Sequence, residues 1–555
     1  MKKYKAFLSL FMALLLTLSC VSTIAFATVA DGITVNVHIP ESYDKNLNGR
    51  LLVTFANSIE TKQPYEQLGV SGSPVYGKTY FDVKPGDTIT MSSKDLDVEA
   101  YPLAMSELPT QDLYVQAFFI QYTKFERDEL PAIWGMDDHG GGGNFKKNPY
   151  NLFSDAVLTS VDASGTEIDL SLTNEIPLGY ELAQGQVTQQ GNYEDTDTVK
   201  YVKMKSELLS DFWNTDIYLA ANVLLPKDYD PNKQYPALYY QGHFPFGNAP
   251  FYYGKNEDFT AYWDSEDAPD IITITFRDAN MFYDTSYSVN SANHGPYGDA
   301  IINEFIPYLE KEFNLIPESW ARLLTGGSTG GWETLAMQLF NPDFFGGAWA
   351  NAPDSVDFHH YQVVDLYNDE NAYFNKTGEW LSVPRPGSVA LDGNIRYTMQ
   401  NENQYELVIG GEEAISLGQW AVWESVYGPV AENGYPERVY DPHTGEINKD
   451  VVAYWQENYD LNVYLQENWE QIGNSLVGKI HIRGGDMDAY YLNHAQYLMG
   501  EFLESTTAPY YDGYSKTFAR KGHTGNISSP DLLKEMTDHM IKYGPENAKS
   551  ILFGD

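Results

Sequence analysis

The segment that most constrains the fold is Gly326-Gly327-Ser328-Thr329-Gly330, of the form G-x-S-x-G. A short apolar run, Arg322-Leu323-Leu324-Thr325, precedes it, and a helix-like run from Trp332 to Phe340 follows. A strand that turns directly into a helix crowds the backbone at the bend, and glycines on both sides of the serine relieve that crowding. The Ser328 hydroxyl then projects at a helix N-terminus, where unpaired N–H groups and the helix dipole favour a developing negative charge. The bare pattern also fits a structural glycine turn. The strand before and helix after make it a nucleophile elbow, so a histidine base, an acid and amide donors are expected elsewhere in the chain.

The surrounding pattern fits such an elbow. From about residue 200 the strand-like runs are Ile217 to Leu225, Tyr235 to Tyr240, Ile271 to Phe276, Gly347 to Ala350 and Lys479 to Arg483. Helical stretches separate them, notably Asp299 to Phe313 with Ile302, Phe305, Ile306, Leu309 and Phe313 on one face. Strands alternating with helices predict a mostly parallel sheet covered on both sides. Residues 358–476 are polar, aromatic and longer than a crossover requires, which predicts a cap inserted over the sheet's C-terminal edge. Residues 28–175 read instead as an all-β, sandwich-like domain. Its strands include Ile33 to Ile39, Arg50 to Phe55, Thr88 to Met91, Leu113 to Tyr122 and Ile168 to Leu172, punctuated by Asn48-Gly49 and Pro85-Gly86. Residues 176–200 are expected as a linker and residues 201–555 as the α/β domain.

The N-terminus has basic residues (Lys2, Lys3, Lys5), an apolar run from Ala6 to Leu18, and Ala25-Phe26-Ala27 as a small-x-small cleavage site. Residues 1–27 are therefore expected to be a secretory signal peptide, with lipidation of Cys20 as the minor alternative. Cys20 is the one cysteine of the 555 residues, so a chain cleaved after Ala27 has no disulfide, no cysteine nucleophile and no thiolate metal site. The 35 basic and 77 acidic residues give a formal charge of −42, a field that disfavours nucleic acid and anionic membrane surfaces as partners. No later run approaches the ~18 apolar residues of a membrane-spanning helix. Asp137-Asp138-His139 reads as a flexible glycine-flanked loop rather than a metal site. No P-loop, dinucleotide fingerprint or HExxH motif occurs, so neither a metal nor a cofactor is expected.

Eleven histidines are available as the base. His523, in Lys521-Gly522-His523-Thr524-Gly525, follows a strand-like run and precedes the terminal helix, so its loop can swing an imidazole over the elbow. It also keeps the chain order serine, acid, histidine. The acid is expected at the end of the strand Lys479 to Arg483. Asp488 is preferred there and Asp486 is the alternative, with Asp354 and Asp357 as the runner-up site. The oxyanion donors are expected at Thr329, the residue after the nucleophile, and in the loop Gly242-His243-Phe244.

With these residues assembled, the C-terminal ~350 residues resemble secreted esterases of the α/β-hydrolase superfamily, in the esterase D or enterochelin-esterase-like group. The resemblance rests on Tyr235 to Gly242, Gly295-Pro-Tyr-Gly-Asp299, Gly326 to Gly331, Gly485-Asp-Met-Asp488 and Gly522-His523. It implies an α/β-hydrolase fold and serine carboxylester hydrolysis with Ser328, Asp488 and His523 as triad. The Gly-Gly-Ser-x-Gly-Gly run also resembles tannases and feruloyl esterases, but those carry a cysteine where this chain has Gly327. The aromatic-rich cap and export suggest acyl or feruloyl esters of polysaccharides as substrates. The alternatives are a serine peptidase of the same fold and a non-catalytic polysaccharide-binding surface protein.

Overall fold

The computed structural model describes residues 32–140, 143–177, 189–243, 247–282, 285–524 and 526–554. The expected signal peptide, Cys20 and Phe244 lie outside them.

Residues 32–175 form two stacked sheets. In the smaller, Gly32–His38 pairs in parallel with Gly165–Ser171 and antiparallel with Thr88–Ser92. The larger is built around Leu47–Ala56, flanked by Gln111–Gln121 and Val75–Val83. Period-two alternation brings Val35 and Val37 against Leu51, Val53, Val115 and Phe119 between the sheets. The opposite face of the larger sheet is not solvated. Leu52, Phe118 and Ile120 share a core with Trp213, Ile217 and Leu219 of the C-terminal part. Burial on both faces accounts for the consecutive apolar residues Leu51, Leu52 and Val53, where a half-exposed strand would alternate. Val75–Val83 escaped sequence reading because Gly77, Lys78 and Thr79 break its apolar pattern.

The second unit is an eight-stranded sheet, β1 (Val199–Ser206), β2 (Ile217–Leu224), β3 (Ala237–Gln241), β4 (Ile272–Arg277), β5 (Arg322–Ser328), β6 (Gly347–Pro353), β7 (Ile480–Gly485) and β8 (Tyr514–Phe518). Their spatial order is 1-2-4-3-5-6-7-8. Strands β1, β2 and β4 pair antiparallel, and every pairing from β4–β3 through β7–β8 is parallel. Strand β1 begins at Val199, inside the expected linker. Successive residues of the central strands serve opposite layers. Leu238, Leu323 and Trp349 meet Phe259, Trp263, Leu533 and Met536. Tyr239 and Leu324 pack with Ile306 and Leu309, while Ala350 and Ile482 pack with Leu335 and Leu339. Both faces are therefore covered by helices, including α1 (Thr329–Phe340) on the second.

Between β6 and β7 lie two short hairpins, then α2 (Met399–Gly410), α3 (Gln419–Tyr427), Lys449–Tyr459 and Leu461–Leu476. Helix α2 also touches the N-terminal unit. The buried Arg50 guanidinium donates from Nε to Val408 O (2.8 Å) and from Nη2 to Leu407 O (3.2 Å), and it pairs with Glu99 at 2.9 Å. Tyr101 and Tyr405 meet edge to face beside it, 5.7 Å apart.

Candidate active site

The β5–α1 junction is a strained turn. Ser328 has φ 56° and ψ −123°, a conformation non-glycine residues avoid, and the β5–β6 register shifts between Gly327 and Ser328. The neighbouring glycines are required by sterics. A Cβ on Gly326 would lie 2.2 Å from Gly330 O, and one on Gly330 would lie 2.3 Å from Gln241 O. Gly327 differs, because a Cβ there meets nothing closer than Asn351 O at 3.5 Å, an ordinary contact.

His523 sits on the loop after β8. Its Nδ1 lies 2.8 Å from Asp488 Oδ2, and since a carboxylate only accepts, Nδ1–H is the donor and Nε2 keeps its lone pair. The Asp488 side chain is 1% exposed, and its Oδ1 accepts from Tyr490 N at 2.8 Å. The Tyr490 ring stands nearly perpendicular to the imidazole, with centroids 5.1 Å apart. Burial pulls the His523 pKa down, but the hydrogen bond and charge of Asp488, helped by Asp354, outweigh it and leave the pKa raised. The alternative acid, Asp486, points elsewhere. It accepts from Arg520 N at 2.6 Å and so ties down the loop that carries the histidine.

Ser328 Oγ donates to Asp354 Oδ1 at 3.2 Å. Asp354, at the end of β6, is buried. Its Oδ2 accepts from Tyr287 (2.8 Å), Thr329 Oγ1 (3.1 Å), Gln419 Nε2 (3.2 Å) and Trp423 Nε1 (3.2 Å). Asp354 thus contacts the serine and not the imidazole Nδ1. Asp357 pairs with His359 and Asn462 instead. The network around Asp354 was not read from the sequence. The available signal was a carboxylate at the C-terminal end of a central strand, where α/β sheets place their sites. Its partners on α3 are separated from it by an irregular segment and carry no pattern.

Two cavities meet at the serine. One, of about 360 Å³, is lined by Ser328, His523, Gly242, His243 and Asn351. The other, of about 230 Å³, is also lined by Ser328 and His523, together with Tyr397, Glu402, Gln419 and Trp423 of the segment between β6 and β7. Thr329 opens α1, so its N–H belongs to the unpaired first turn. Among the described residues, a Cβ on Gly242 would meet nothing within 4 Å.

Two histidines, His294 and His481, are buried in packing roles. Burial pushes His294 and His481 down to about 3, and His481 stacks on Trp349 with ring centroids 4.2 Å apart. Among the described residues, no group of three or more His, Cys, Asp or Glu side chains is placed to hold a metal, and no helix is long and apolar enough to cross a membrane.

Residues 215–387 match the esterase family model, described as "Putative esterase". A search of curated proteins returns no match. Among solved structures, a ferulic acid esterase aligns at 15% identity and TM-score 0.35, covering 62% of this chain and 99% of its own. A CE1 ferulic acid esterase from Anaeromyces mucronatus aligns at 12% identity and TM-score 0.29, covering 67% of this chain and 96% of its own. A prolyl endopeptidase aligns at 8% identity and TM-score 0.37, covering 86% of this chain and 64% of its own.

Proposed function

From the premise that the chain is a carboxylic ester hydrolase, its residues 215–387 matching the esterase family model, we propose that it works through Ser328, His523 and Asp488. The observation that carries this reading is the 2.8 Å contact between His523 Nδ1 and Asp488 Oδ2, beside a serine held in a strained elbow. The contact fixes the tautomer, so Nε2 is the atom able to take the serine proton. Ser328 Oγ first leaves Asp354 by rotation about χ1 and then donates to Nε2. As the proton moves, Oγ bonds to the ester carbonyl carbon and the carbonyl π electrons move onto oxygen. The Thr329 N–H, with an amide of the Gly242–Phe244 loop, receives that oxyanion. Collapse expels the alcohol, which takes the proton from His523. Water then repeats the sequence on the acyl-enzyme and regenerates Ser328.

The raised His523 pKa suits this role, because an imidazole that becomes cationic in the transition state gains from Asp488 at that moment. The N-terminal sequence supports export, and the aromatic insertion supports an ester carried by a polysaccharide as substrate class. The test is labelling by a fluorophosphonate. The protein takes one label at Ser328, and Ser328→Ala takes none. A labelled alanine variant overturns the assignment.

A further inference from the structure

Asp, Glu, Lys and Arg make up 20% of the chain, yet none of them is among the described residues lining the larger cavity at Ser328. Its volume of about 360 Å³ suits a small-molecule site. Residues with amide or hydroxyl side chains line it instead. Gln241 ends β3, Asn248 follows it, Thr275 lies on β4, Asn351 on β6, and Asn526 and Ser529 come after β8. In the spatial order 4-3-5-6 these residues reach the cavity from both sides of the serine strand, so polar groups surround the space rather than gathering at one end. Amides and hydroxyls both donate and accept.

A strained turn supplies the aromatic part of the wall. Phe251 (φ 54°, ψ 18°) and Tyr252 (φ 55°) are consecutive left-handed residues, a costly conformation for bulky side chains. Phe251 anchors the turn. It is buried, and its ring packs on Tyr240 and Phe259 with centroids 4.4 and 4.7 Å away. Tyr252 O accepts from Lys255 N and Asn256 N, both at 2.8 Å. So fastened, the turn leaves Tyr252 48% exposed on the cavity wall. An aromatic side chain kept half in water by a strained backbone is placed for a ligand rather than for the core. The lining then narrows the ligand. A charged group would find no opposite charge and would be desolvated unpaired. A phenolic or fatty acyl chain would leave most of the surrounding polar groups without partners. A sugar ring brings hydroxyls around its rim, each both donor and acceptor, and apolar C–H faces that pack on an aromatic ring.

We infer that the larger cavity is the subsite for the alcohol limb of the ester, an uncharged sugar ring stacked on Tyr252 and hydrogen-bonded by the surrounding amides and hydroxyls. The inference rests on the esterase reading for its place in turnover, but sugar binding tests it separately. Titration calorimetry in 0.5 M NaCl, which screens the net charge of −42, compares xylotriose and cellotriose with the anionic trigalacturonate. At least one neutral trisaccharide is expected to bind roughly tenfold or more tightly than the anionic one. Tyr252→Ala lowers that affinity by roughly five- to tenfold, and Tyr252→Phe, which keeps the ring, retains it. No binding of either neutral probe, equal affinity for trigalacturonate, or an affinity that survives Tyr252→Ala overturns the subsite. Selective sugar binding without a fluorophosphonate label at Ser328 would keep the subsite and lose the esterase assignment, and a label without sugar binding would do the reverse.

Discussion

At the scale of single residues, the chemistry depends on which acceptor each proton faces. His523 must be neutral to act as base, and its pKa is raised, so kcat/KM rises with pH and reaches half its plateau above the ordinary imidazole value of about 6.5. In Asp488→Asn the hydrogen bond and charge that oppose burial are lost. The midpoint then moves down, and kcat falls by roughly 10⁴-fold as the tautomer is released. A pH–rate profile on a neutral aryl ester reads both effects. Asp486→Asn should keep the wild-type midpoint, because its carboxylate holds the Arg520 amide and not the imidazole. Ser328→Ala should cost about 10⁴–10⁶-fold in kcat. The sequence prefers Asp488 over Asp486 as the acid and keeps Asp354 and Asp357 as a runner-up site, but it does not show which way each carboxylate turns. The backbone after β7 turns Asp488 inward to 1% exposure and Asp486 outward.

At the scale of elements, the elbow makes unequal demands on its glycines. Gly326→Ala and Gly330→Ala push a methyl group into backbone carbonyls that cannot move aside. Each should destabilise by about 2 kcal/mol or more, as overpacking does. Gly327→Ala meets only ordinary contact and should stay within about 0.5 kcal/mol. Urea denaturation of the three variants separates them. The strand–turn–helix was legible because its apolar runs and glycines are local signals. The Asp354 network joins β5, β6, α3 and Tyr287 through side chains far apart in sequence, and no periodicity encodes such a meeting.

At the scale of the whole molecule, the two units share a core, so the N-terminal sheets act as a wall of the C-terminal unit. Arg50→Ala would leave the Leu407 and Val408 carbonyls and Glu99 without their buried partner, at a cost of about 3–5 kcal/mol. Limited proteolysis should then cut first around residues 399–418, and thermal unfolding should show the loss of stability. A variant as stable and as protease-resistant as wild type would mean that the contact carries no weight. The division into an all-β part and an α/β part was visible as a change in hydrophobic period. Their intimate contact was not, beyond the hint of an apolar run too continuous for a half-exposed strand.

The Arg50 contact spans 358 residues of sequence. During synthesis the guanidinium emerges early and the carbonyls that satisfy it emerge late, so the N-terminal sheets spend most of translation with one face uncovered. Closing so long a loop comes late in folding because its entropy must be met before the contact repays it. Helix α2 is fastened by that same closure. The part of the smaller cavity wall at Ser328 that this helix supplies is therefore completed in the last act of assembly.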